Sequence, residues 1–176
     1  GLKVEDLIAG ISKLLGCNIY LVNVKGAIVC STLPNGADCS KVGKEALVLK
    51  AEFKQRMGFI FELTANLPLE GCFLHDGSCA APNTFMTIVP IRNVHSAPGH
   101  LLLTKRDKPF SDEELVLAES ASLAACIYFY ENDFGAGSES DIRQKANAQL
   151  VMDSLSYSEL KAISNVFADL NSLEGF

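Results

Sequence analysis

The stretch "CFLHDGSC" places Cys72, His75 and Cys79 within eight residues. Thiolate sulfur and imidazole nitrogen are soft ligands, and a fourth donor, with Cys39 as the candidate, would complete a zinc-type set. The spacing is not that of a C-x-x-C knuckle, so no metal is expected, and the plain reading is that these are loop residues. A redox or nucleophilic role for the same thiols would require that they ionise readily. The rest of the chain offers little catalytic chemistry. His75, His95 and His100 fall in loop or strand regions, and no nucleophile–base pair stands out. "FGAGS" lacks both the lysine and the preceding strand of a phosphate-cradling loop. Cys17, Cys30 and Cys126 sit in apolar runs and are expected to pack as small hydrophobes.

Those residues must be carried by a chain of 176 residues that is 48% apolar, enough for a full core without disulfides or metal. Its net charge of -6 repels phosphate backbones, so this stretch by itself is not expected to bind nucleic acid. No basic amphipathic segment suits a membrane surface. The start "GLKVEDLIAGISKLLGC" reads as an amphipathic helix and not as a signal peptide. Leu115 to Tyr130, the most apolar run, is interrupted by Glu119 and by serines and is too short for a bilayer. A soluble, cytoplasmic protein is expected, with no disulfide framework.

Periodicity predicts the elements. Val4, Leu7, Ile8, Ile11, Leu14 and Leu15 keep helical spacing and Gly16 ends the helix. "NIYLVNVKGAIVCST" reads as two strands about a Lys25-Gly26 turn, and "LPNGADCS" as a loop. A helix is predicted from Lys41 to Arg56, with Val42, Ala46, Leu49 and Phe53 on one face. Residues 58–84 are expected to hold loops and one short strand. "TFMTIVPI", closed by Pro90, and "GHLLLTK" are strands joined through "RNVHSAP". Ser111 with Glu114 forms a capping box that opens a helix to about Asn132. That helix is apolar over most of its circumference, so it must be covered on more than one side. "DFGAGSES" should break it, ahead of helices at about 141–154 and 157–170. The last carries a Ser156–Glu159 capping box and a stripe of Leu160, Ile163, Phe167 and Leu170. Antiparallel strands with helices packed on them make an α+β fold.

"TIVPI", the G-x-L-L-L strand, "FSDEELVLAESAS" and "SLSYSELKAI…LNSLEGF" occur in that order, and together they resemble the CodY family of global transcriptional repressors. The likeness spans nearly the whole chain and is weakest from Leu33 to Asn83. It implies a sensor domain of the GAF type, an antiparallel sheet flanked by helices, over residues 1–134. It also implies linker helices over 135–176 that lead to a winged helix-turn-helix, so that DNA is met only through a domain beyond this stretch. A homodimer is implied, as is a branched-chain amino acid (Ile, Leu or Val) as effector, with GTP as a possible second one; effector binding would enhance DNA binding. Carried over position by position, the effector site falls on Cys39, Ser40, Leu49, Phe53, Cys72, Leu74 and His75. Lys50 lies beside Leu49 in the same stretch.

A free amino acid needs an apolar pocket and a partner for each charged end. The family's arginine and its Phe-Pro pair are absent here. Either Arg56 supplies the cation from a neighbouring turn, or this member has altered or lost branched-chain amino acid binding. Read blandly, Leu49, Phe53 and Leu74 are core, and Arg56 is a solvated helix end. Lys105-Arg106 would meet a GTP phosphate or simply face water. Two other classes stay open. One is a thiol enzyme resembling GAF-type methionine-sulfoxide reductases, with Cys72 and Cys79 as nucleophile and resolving thiol. The other is a dimerisation module with no ligand.

Overall fold

The computed structural model describes residues 3–133, apart from residues 40, 42–46, 76, 78, 80–81 and 92–97. The helices expected at 141–154 and 157–170, the break at 133–140 beyond its first residue, and the connection through "RNVHSAP" up to residue 97 lie outside the described residues.

Helix α1 (Val4–Leu15) buries Leu7, Ile8, Ile11 and Leu15 along one stripe and stops at Gly16, whose φ of 59° is the left-handed cap that glycine adopts without a Cβ clash. Strands β1 (Asn18–Asn23) and β2 (Ile28–Thr32) form the expected hairpin. Its turn is organised by Asn23, whose Oδ1 accepts the N–H groups of Lys25 and Ala27, both at 3.0 Å.

The helix predicted from Lys41 is corrected. Residues 47–50 are extended, and helix α2 covers only Ala51–Met57. The hairpin offers unpaired backbone groups that these residues satisfy. The Ile28 N–H donates to Leu47 O at 2.9 Å, the Leu49 N–H donates to Gly26 O at 2.8 Å, and Val48 bridges Ala27. Backbone pairing with the hairpin overrides the helical spacing at 47–49, and the part of the predicted helix over 42–46, with Val42 and Ala46, lies outside the described residues.

Strands β3 (Thr64–Pro68), β4 (Thr84–Ile91) and β5 (Gly99–Arg106) complete one five-stranded sheet in the order β2-β1-β5-β4-β3, every neighbouring pair antiparallel. β4 does not close at Pro90 but continues to Ile91. Pro90 lies beyond the last pair that β3 makes with β4, Thr64 with Ile88, where a missing N–H is tolerated. Helix α3 (Asp112–Asp133) opens on the expected capping box: the Ser111 N–H donates to Glu114 Oε2 at 2.9 Å and the Glu114 N–H to Ser111 Oγ at 3.3 Å.

The sheet has two different faces, as the period of two requires. Ile19, Leu21, Val89, Ile91, Leu101 and Leu103 point to a core shared with α1 and α3. Ala118, Ala121, Ala124 and Ala125 are buried there, so α3 is covered by both α1 and the sheet. Tyr20, Val22, Met86, Ile88 and Leu102 point the other way, into a second core closed by α2 and by loops. The fold is α+β, as the sequence predicts.

Candidate functional site

The face covered by α2 and loops holds the polar and soft side chains. Its anchor is Asp38, in the loop that leaves β2. Asp38 is buried, and its Oδ2 accepts from Tyr20 Oη at 2.6 Å, Thr104 Oγ1 at 2.6 Å and Asn18 Nδ2 at 3.1 Å. The sheet register explains this convergence. Asn18 pairs with Thr104 and Tyr20 with Leu102, so Asn18, Tyr20 and Thr104 share one patch of β1 and β5. Asn18 also donates to Gly36 O at 2.7 Å and accepts from the Asn35 N–H at 3.2 Å. The Arg106 guanidinium lies 3.9 Å from Asp38 Oδ1. A buried carboxylate is tolerated because so many donors meet it. Burial, and then the bond to Asp38, push the Tyr20 hydroxyl well above its ordinary range.

This network fixes the backbone of Cys39. The second loop, 71–79, is held from the other side. The Cys72 N–H donates to Gly77 O at 3.0 Å, and the Lys50 N–H donates to Phe73 O at 3.1 Å. Phe73 packs edge-on against Tyr20 with ring centroids 5.2 Å apart, and against Phe53 at 6.0 Å. The two loops therefore meet over the sheet. Cys39 Sγ, Cys72 Sγ, Cys79 Sγ and a ring nitrogen of His75 lie within 4.8 Å of one another. Cys79 Sγ is 3.1 Å from His75 Nε2, and the Leu74 N–H points at Cys72 Sγ at 3.5 Å. A Cβ at Gly77 would stand 2.9 Å from His75 Nδ1, so the lack of a side chain there lets the ring lie against the loop. Burial, and then the hydrogen bond with Cys39, push the Cys79 thiol up to about 11. All six cysteines are free thiols.

Of the residues assigned to the effector site, the structure brings Cys39, Leu49, Phe53, Cys72 and Leu74 into the second core, with His75 at its margin beside Cys79. Cys39, Leu49, Cys72 and Leu74 are buried and Phe53 is half-buried. Arg56 is exposed on α2, as its bland reading has it. Ser40 lies outside the described residues, as does His95. Lys105 and Arg106 are both engaged within the chain, Lys105 with Glu114 Oε1 at 2.6 Å and over the Phe110 ring at 5.4 Å, Arg106 beside Asp38. His100 Nε2 lies 3.2 Å from Ile60 O, and burial lowers the basicity of the ring.

Sequence reading missed Asp38, because one aspartate in "LPNGADCS" looks like any loop residue. Its only signal is the polar Asn18, Tyr20 and Thr104 placed in otherwise apolar strands. Sequence reading also missed Asn66. This residue has a φ of 56° at a break in β3 pairing. It donates from Nδ2 to Phe110 O at 3.0 Å and accepts the Phe110 N–H at 2.7 Å.

Comparison with known proteins gives the same architecture a lineage. The model of the CodY GAF-like domain matches residues 1–154. A global transcriptional regulator CodY of Clostridium kluyveri is 35% identical over 179 residues, covering 97% of this chain and 68% of the relative. One of Clostridium botulinum is 33% identical over 178 residues with the same coverage. Among solved structures, the cofactor-binding GAF domain of the nutrient sensor CodY from Clostridium difficile superposes with a TM-score of 0.52 at 22% identity, over 69% of this chain and 81% of that one. A GAF domain/HD domain protein from Geobacter sulfurreducens does so with a TM-score of 0.50 at 18% identity, over 69% and 91%. At these identities the two structures speak for the fold. Among the described residues no helix is long and apolar enough to cross a membrane.

Proposed function

The chain belongs to the CodY family, and on that premise we propose that its effector is a branched-chain amino acid held on the face covered by α2 and the loops. In this reading residues 1–134 are the sensor and 135–176 the linker. Occupancy of the sensor by isoleucine, leucine or valine, with GTP as a second effector, strengthens DNA binding by a winged helix-turn-helix domain outside these 176 residues. The protein acts as a homodimer in the cytoplasm, controlling nutrient and stationary-phase genes. The curated relatives are named as transcriptional regulators, not as enzymes.

The observation that carries this reading is the asymmetry of the sheet. One face is sealed by α1 and α3. The other is closed only by the short α2 and two loops over an apolar cluster, and apolar side chains with a few polar neighbours are what a site for a small amphipathic molecule is built from. In this reading Leu49, Phe53 and Leu74 supply the apolar wall, with Cys39, Cys72 and His75 beside it, and Ser40 is assigned by the family resemblance alone. Arg56, on α2, is the candidate partner of the effector carboxylate and must fold inward to reach it. Thermal melts with isoleucine, leucine, valine and GTP test the proposal, because a ligand that prefers the folded state raises the midpoint. A rise with at least one branched-chain amino acid is expected, and flat melts with all four remove the reading.

In the thiol-enzyme alternative Cys79 is the resolving thiol, and burial together with its Cys39 and Cys72 neighbours pushes it up to about 11, away from the ionised form that closes a disulfide. Turnover of free methionine sulfoxide with a thiol reductant would restore that alternative. A ligand-free dimerisation module predicts the flat melts already named.

A further inference from the structure

We propose that Cys39, Cys72, His75 and Cys79 bind one Zn2+ ion in a closed Cys3His site that ties the loop after β2 to the loop before β4. This replaces the sequence-based expectation that no metal is held here.

Four donors from two loops converge, all within 4.8 Å of one another. A tetrahedral zinc ion with Zn–S bonds of about 2.3 Å sets its donors about 3.8 Å apart. Adjustments of about 1 Å or less would therefore close the set around an ion. The donor chemistry selects the metal class. Three thiolates with one imidazole suit a soft or borderline ion, whereas calcium and magnesium take oxygen. Zinc is the choice for a four-coordinate closed set without redox chemistry.

The surroundings are those of a built site. His75 turns Nε2 toward Cys79, while its other nitrogen lies against Gly77. The Leu74 N–H already points at Cys72 Sγ, the kind of outer contact that steadies a metal thiolate. The Cys72 N–H to Gly77 O bond shapes the loop that presents three of the four donors. On the other side the Asp38 network holds Cys39 in place. Two independently anchored loops thus deliver their donors to one point, which chance packing of cysteines in an apolar core does not require.

Binding replaces three S–H protons by one ion: each thiol releases its proton to solvent as its sulfur binds, and His75 binds as the neutral ring. The ion would take up Cys39, Cys72 and His75, leaving Leu49, Phe53 and Leu74 as the apolar wall of the effector site. The zinc site does not depend on the effector proposal. It is read by metal content and thiol protection, whereas the effector reading is tested by melts with amino acids, so either fails without the other.

The test uses the full chain purified under reducing conditions without chelator. Elemental analysis is expected to find about one zinc per chain, and a thiol reagent should find the half-buried Cys79 shielded until a strong chelator removes the ion, whereas Cys39 and Cys72 are buried either way. Cys79→Ser and His75→Ala should each weaken zinc binding by about 100-fold or more, beyond the 10–100-fold typical of outer-shell changes. Where a variant fails to fold, thiol protection in the unaltered protein decides alone. Chain purified free of zinc that takes up none on titration, with thiol reactivity indifferent to zinc, overturns the proposal. So does zinc content unchanged in folded Cys79→Ser, or a Cys72–Cys79 disulfide in the reduced preparation.

Discussion

Tyr20 donates its phenolic hydrogen to Asp38 Oδ2 at 2.6 Å, joining the β1–β5 ladder to a loop that follows β2. The same oxygen receives Thr104 Oγ1 at 2.6 Å. Tyr20→Phe removes one donor to the carboxylate and also the acceptor of the Asp38 N–H, which lies 3.3 Å from Tyr20 Oη, so a loss of about 1–2 kcal/mol is expected in urea unfolding. Asp38→Ala strands several donors in the interior and is expected to cost about 2–4 kcal/mol. The double variant should be less destabilised than the sum of the two, since both remove the Tyr20 Oη–Asp38 Oδ2 bond. Strict additivity would show that the bond carries no weight.

Asn66 clamps the residue just before the α3 capping box. Asn66→Ala loses both bonds to the Phe110 backbone and places an ordinary residue at a φ of 56°. A destabilisation of about 2–3 kcal/mol is expected. Asn66→Gly keeps the backbone freedom but not the bonds, and should fall between Asn66→Ala and the unaltered protein in thermal unfolding.

Gly99 faces β1 at very short range. A Cβ there would stand 1.9 Å from the Val22 carbonyl oxygen, and backbone cannot swing aside as a flexible side chain does. Gly99→Ala should therefore part β5 from β1 locally and cost about 1–3 kcal/mol. A melting temperature within a degree or so of the unaltered protein would contradict it.

Glu114 links pH to stability. Burial tends to raise its carboxyl, but the bonds from Lys105 and the Ser111 N–H outweigh this, and it is held below its ordinary value. A carboxyl that is more acidic folded than unfolded stabilises the fold above its unfolded value of about 4.3. That contribution is lost as pH falls through the lower folded value. Glu114→Gln should cost about 0.5–1 kcal/mol at pH 7 and flatten the acid side of the stability profile. Guanidinium titrations at pH 7 and pH 3 measure both.

Arg56 separates effector binding from folding. It is exposed, so Arg56→Ala should leave the melting temperature of the unliganded protein unchanged. If it meets the effector carboxylate, isoleucine should bind about 10–100-fold more weakly by calorimetry, the worth of a charge-assisted bond. Equal affinity would assign the carboxylate to other donors.

The elements were legible wherever one periodicity had no competitor. Leu7, Ile8, Ile11 and Leu15 give α1, and Ser111 with Glu114 gives the start of α3 to the residue. The strand "TFMTIVPI" is equally plain. Residues 47–50 were misread because helical spacing is a local signal, while the hairpin groups that Leu47 and Leu49 satisfy lie some twenty positions earlier. The candidate site was half legible. Cys72, His75 and Cys79 announce themselves by proximity in sequence. The approach of Cys39 depends on Asp38, and Asp38 depends on a register that sets Asn18 opposite Thr104. Such long-range pairing leaves no periodic trace.

The Asn66–Phe110 clamp has a mechanical consequence. It fastens the outer strand β3 to the root of a helix of 22 residues, about 33 Å long. With its root held there, that helix can pivot next to the sheet only as far as its packing on α1 and the sheet gives. A tilt of about 5° at the pivot would carry the far end through about 3 Å. A displacement of β3 too small to disturb any strand pairing is thereby magnified into one the size of a hydrogen bond at Asp133.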